Sequence, residues 1–128
     1  MAAVLYVALG GAFGSVCRYG LMQAVTRFAP AAIFPYGTLA VNVLGSLLMG
    51  VWVGLMAAML PEKTKELHWL FAVGALGGFT TFSTFSLDIY TLMQHGLYGQ
   101  IALYVGVSVA ASVLALLFGL WCVRMVAV

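Results

Sequence analysis

The chain has 128 residues, 65% of them hydrophobic and 6% charged, with a mean hydropathy of +1.15. A soluble domain carries roughly a quarter charged residues, so a water-soluble enzyme or binding module is excluded. Five basic and three acidic residues leave a formal net charge of +2, and no nucleic-acid partner is expected.

The reading is an all-α integral membrane protein, a single transmembrane domain over residues 1–128 set in a lipid bilayer. A spanning helix needs about 20 mostly apolar residues, and four such segments fit, at about 3–25, 35–60, 67–94 and 98–125. The first ends near Arg27 and Pro30. It has no basic leader and no small-residue cleavage site, so it is expected to be the first helix rather than a cleaved signal peptide. Gly10, Gly11, Gly14 and Ser15 lead to Arg18, the sole charge within that span. An ionisable residue in a span is a functional candidate, here an anion-attracting vestibule charge. Snorkelling to the interface is the competing reading.

The second segment is stopped by Pro61 and the charged run Glu62-Lys63-Thr64-Lys65-Glu66. Within it Thr38, Asn42, Ser46, Gly50 and Gly54 recur every four residues, which lays a small, polar stripe along one helix face. Close helix packing accounts for Ser46, Gly50 and Gly54. Asn42 differs, because an amide at that depth is costly unless partnered, and a functional role is expected for it.

The third segment contains Gly77-Gly78-Phe79-Thr80-Thr81-Phe82-Ser83-Thr84-Phe85-Ser86. Paired glycines and crowded hydroxyls weaken a helix, and at membrane depth this is tolerated only where protein or a wet cavity satisfies the backbone. The run predicts a broken third helix. A break exposes amides, and the positive end of a half-helix can meet an anion. Phenylalanine ring edges carry partial positive charge. Three phenylalanines three apart equally suit plain helix packing. Asp88, the only acid in any span, is expected to pair with a base or cap a freed amide.

After the turn-like His95-Gly96-Leu97, the fourth segment carries Tyr104, Ser108 and Ser112 on one face. Such a row can hand an ion from donor to donor, or its serines can bond back to the carbonyl four residues earlier. Four spans put both termini on one side with Lys63, Lys65 and Arg124, against Arg18 and Arg27 on the other. Orientation follows an excess of Lys/Arg in cytoplasmic loops, and three against two is hardly an excess. The expectation is an antiparallel, dual-topology homodimer, the two-chain counterpart of inverted repeats. Cys17 and Cys122 lie in different spans without metal-ligand spacing, and His68 and His95 lie at opposite ends of the third segment. No catalytic triad or phosphate loop is present, so no enzymatic activity is expected.

The run from Gly77 to Ser86 resembles the signature of the Fluc (CrcB) family of microbial fluoride channels. The likeness extends to Gly10-Gly11 through Arg18-Tyr19, Pro35-Tyr36-Gly37-Thr38 through Asn42, and the row Tyr104, Ser108, Ser112. It implies two oppositely oriented subunits with two fluoride pores in the cell inner membrane, conferring fluoride resistance by passive efflux. Phe82 and Phe85 would supply ring edges, and Asn42 a donor. Tyr104, Ser108, Ser112 and the third-span hydroxyls, including Ser83 and Thr84, would continue a polar track. Arg18 would belong to a positive vestibule. A structural sodium ion would be held by backbone carbonyls of Gly77 and Thr80 from both subunits. Asp88 stands where some relatives have Glu. A proton-coupled exporter of the small multidrug type and an accessory subunit of a membrane complex remain as alternatives.

Overall fold

The computed structural model describes residues 1–58 and 65–126. The expected end of the second span at Leu60 and most of the charged run, Lys63 included, lie outside these residues. Four helical stretches are long and apolar enough to cross a membrane: Ala2–Phe28, Tyr36–Ala58, Lys65–Gln94 and Tyr98–Val126. The protein is a multi-pass, all-helical membrane protein. Large apolar side chains such as Leu5, Phe13, Leu114 and Phe118 point outward, as they must where the solvent is lipid.

Two pairs of elements form the frame. The second helix lies along the fourth, and the first lies along the leading part of the third segment. In lipid there is no hydrophobic drive between helices, so close backbone approach must supply the attraction. Accordingly a Cβ at Gly50 would strike the Leu116 carbonyl, and one at Gly14 the Ala75 carbonyl. The stripe on the second helix therefore divides. Its Gly50 and Gly54 face the fourth helix, Gly54 against Val123.

The third segment is not uniform. After Lys65–Leu67 it winds as a π-helix over His68–Leu76 and as an α-helix over Gly77–Phe79. Thr80 (φ −77, ψ 159) and Thr81 (φ −151, ψ 122) are extended, and an α-helix resumes over Phe82–Gln94. Nothing in the sequence signalled the π-helical stretch, which packs on the glycine-bearing face of the first helix. Thr81 caps the second part, its Oγ1 accepting from the Thr84 N–H at 3.1 Å. The segment closes at Gly96 (φ 69), where Gly96 N–H reaches Met93 O at 2.9 Å and Leu97 N–H reaches Leu92 O at 3.0 Å. That pair is the Schellman pattern.

A small aromatic and aliphatic core forms where the end of the third segment meets the fourth helix. Phe85, Leu92 and Tyr104 are buried there, with Phe34, Leu39, Ile89 and Ile101 packed around them.

Candidate functional site

The extended pair Thr80-Thr81 creates a problem and the neighbouring helices solve it. In a continuous helix the Thr81 N–H would donate to Gly77 O, four residues earlier. Instead it donates to Asn42 Oδ1 at 2.8 Å, and Asn42 Nδ2 donates back to Thr81 O at 3.0 Å. One amide side chain thus pairs with both polar groups of one peptide-bearing residue. Thr80 N–H and Thr80 Oγ1 both donate to Leu76 O, each at 3.0 Å. Arg18 Nη1 donates to Thr80 O at 3.1 Å, and Ser15 Oγ makes a longer contact of 3.5 Å to Gly78 O. A Cβ at Gly45 would strike the Thr80 methyl, so that glycine makes room for the extended pair.

Beside the extended pair lies a groove of about 330 Å³ lined by Asn42, Ser46, Thr80, Thr81, Phe82, Phe85, Ser108 and Ser112, with Val109 and Val113. Phe82 and Phe85 stand with ring centroids 5.5 Å apart and planes inclined by 35°. Phe85 is buried, whereas Phe82 is 78% exposed. Ser108 Oγ is buried without a hydrogen-bond partner among the described residues. The back-bond to the preceding turn, the bland alternative for this serine, is not made. Asn42 keeps a second N–H beyond the one given to Thr81 O, and the first N–H groups of the half-helix at Phe82 have no intrahelical acceptor. The groove thus sets neutral donors among apolar walls, with no carboxylate lining it among the described residues. It suits a small anion held weakly enough to leave.

Of the residues expected to act together, Asn42, Phe82, Phe85, Ser108 and Ser112 line this groove. Ser83 and Thr84 do not. Thr84 Oγ1 accepts from Thr81 Oγ1 at 3.0 Å, and Ser83 Oγ lies 3.3 Å from the same hydroxyl. Ser86 turns back to Phe82 O at 3.0 Å. Tyr104 stands behind the groove, its ring 5.0 Å from Phe85, and donates to Asp88 Oδ2 at 2.9 Å. Among the described residues Asp88 thus accepts from a phenol, where its sequence context suggested a base or a freed amide. It lines a second cavity of about 220 Å³ with Thr38, Phe34 and Thr26. Arg18 sits at the extended pair and Gly77 just before it; neither lines the groove.

Ser46 and Thr81 also line the groove; the sequence had placed Ser46 in helix packing and Thr81 only among the third-span hydroxyls. Ser46 shares the stripe of Asn42 and could have been assigned with it. Thr81 had a usable signal, a hydroxyl three residues before Thr84 at a helix start. Among the described residues no three His, Cys, Asp or Glu side chains gather as a metal site. The backbone is another matter, since Gly77 O has lost its helical donor to Asn42.

Comparison with known proteins adds an independent line. A family profile described as "CrcB-like protein, Camphor Resistance (CrcB)" matches residues 5–120. A protein of Erythrobacter litoralis named "Fluoride-specific ion channel FluC" is 46% identical over 98% of this chain and 94% of its own length. Proteins bearing the same name from a Ruegeria species and from Novosphingobium aromaticivorans are 48% and 47% identical. They cover 94% and 99% of this chain, and 94% and 100% of the relatives.

Proposed function

The chain belongs to the CrcB family, and from that premise we propose that it is a fluoride-selective ion channel, not an enzyme, through which fluoride leaves the cytoplasm passively. The observation that carries this reading is the groove. It joins two phenylalanine rings, the unpartnered Ser108 hydroxyl and a second Asn42 N–H at a helix break, and among the described residues neither a carboxylate nor a cation lines it. A small anion losing its water there gains ring edges and neutral donors. It meets no full counter-charge that would trap it. The driving force is the membrane potential, about 2.3 kcal/mol per unit charge for each 100 mV, so no proton-coupling acid is required.

The functional unit we propose is an antiparallel homodimer of dual topology in the cell inner membrane, with the third segment crossing as one broken helix. Support comes from the near-even charge distribution and from Phe82, a pore candidate left 78% exposed in a single chain. Ser112, Ser108 and the break hydroxyls would pass the ion along, with Tyr104 at one end. Gly77 and Thr80 carbonyls from two copies would hold a structural sodium ion, hard oxygen donors for a hard cation. The oxygens suit it in kind: Gly77 O lacks its helical partner, and Thr80 O, which accepts from Arg18, keeps a second lone pair. When bound, such an ion would tie the two breaks together electrostatically.

The test is reconstitution of the purified chain in liposomes loaded with fluoride or chloride, with a potassium ionophore to collapse the potential. Fluoride efflux without chloride efflux is expected. Silence for both anions from a correctly folded sample would refute the channel.

A further inference from the structure

We infer that Arg18 is the positioning residue of the break, acting through the Thr80 carbonyl, rather than a vestibule charge that attracts anions from solution.

The geometry defines the need. With ψ at 159, Thr80 turns its carbonyl out of the helical course. The donor that a helix would have offered, the Thr84 N–H, is committed to Thr81 Oγ1. An unpaired carbonyl at membrane depth is costly by several kcal/mol. Arg18 Nη1 meets it at 3.1 Å across 62 residues of sequence. Because the donor is charged, the bond is roughly twice as strong as a neutral one. The oxygen also lies just past the C-terminal end of Gly77–Phe79, where the helix dipole is negative and a cation is favoured.

Two other helices therefore hold the two extended residues from different sides. Arg18 of the first helix fixes Thr80, and Asn42 of the second fixes Thr81. Thr80 and Thr81 both line the groove, whereas Arg18 does not. Its influence on a passing ion thus runs through the placement of these residues and of the half-helix that starts at Phe82.

The experiment compares Arg18→Gln and Arg18→Lys in the full-length protein, with crosslinked dimer yield as the folding control. The inference rests on the channel reading for its flux arm alone. Its second arm, amide hydrogen exchange at Thr81 and the carbonyl carbon resonance of Thr80, needs no transport. Arg18→Gln, too short to keep the bond, is expected to lower fluoride flux about tenfold, the equivalent of roughly one lost hydrogen bond. It should also speed exchange at Thr81 and shift the Thr80 carbonyl. Arg18→Lys, which keeps a donor of nearly the same reach, should recover most of both. A vestibule charge behaves otherwise. Its loss is screened away at molar salt, where the Debye length is about 3 Å, and Thr80 and Thr81 stay untouched. A flux deficit in Arg18→Gln that vanishes at molar salt, or an unchanged Thr80 carbonyl, would overturn the inference. Absence of flux in the parent protein would sink the channel reading and leave the spectroscopic arm standing.

Discussion

The second and fourth helices, packed together, contrast with the half-helix Phe82–Gln94. The first two meet backbone to backbone, with Gly50 against the Leu116 carbonyl and Gly119 against the Leu47 carbonyl, and little room remains for change. Phe82–Gln94 touches the rest of the chain mainly through Phe85, Leu92 and the Tyr104 to Asp88 bond, and it turns Phe82 outward. One region is finished within the chain. The other leaves Phe82 on an open face, and it is there that the proposed second copy and ion path would lie.

The largest effect is expected in the finished region. Gly50→Leu drives a side chain into the Leu116 backbone, which cannot rotate away, and overpacking of this kind costs about 1–3 kcal/mol or more. Loss of the monodisperse species in size-exclusion chromatography is the expected outcome. A normal elution profile would break the comparison at once.

Next comes Asn42→Ala, which removes both hydrogen bonds to Thr81, at about 0.5–1.5 kcal/mol for each. Thermal stability and fluoride flux should both fall, because the clamp belongs to the frame and to the groove. Phe82→Ile separates the two. Flux should drop sharply, while the unfolding midpoint moves less than for Asn42→Ala, because Phe82 is 78% exposed within the chain and its side chain clamps no backbone group. An equal loss of stability would place Phe82 in the frame instead. The smallest change is expected for Thr81→Val, which removes a helix cap worth about 1 kcal/mol and leaves the Asn42 clamp intact. Differential scanning fluorimetry resolves a shift of that size.

Much of the architecture was legible because lipid imposes a simple rule. Four long apolar segments and the hydroxyl-rich run announced themselves through length and composition. Asn42 was legible as well, since a buried amide demands a partner, though not that its partner would be the Thr81 backbone. What escaped notice depends on pairing across distance. Arg18 to Thr80 spans 62 residues and Asn42 to Thr81 spans 39, and neither separation has a local signature. Asp88 was misread for a related reason. Its sequence neighbours offer no base, and the phenol that donates to it comes from the next helix. The π-helical stretch lay beyond reach because no pattern in His68–Leu76 marks it; what the structure adds is its packing on the first helix.

The clamped break also bears on how the protein is made. Its backbone partners, Arg18 and Asn42, belong to spans synthesised earlier, yet they can act only after those spans have docked beside the third. Until then, lipid offers Thr80 and Thr81 nothing, and a continuous helix is the cheaper state. The break would then be a late event in biogenesis, formed at helix assembly and not at insertion. A peptide of residues 65–94 in micelles is accordingly expected to show helical carbon shifts straight through Thr80 and Thr81, and extended shifts there would indicate a break written into the segment itself.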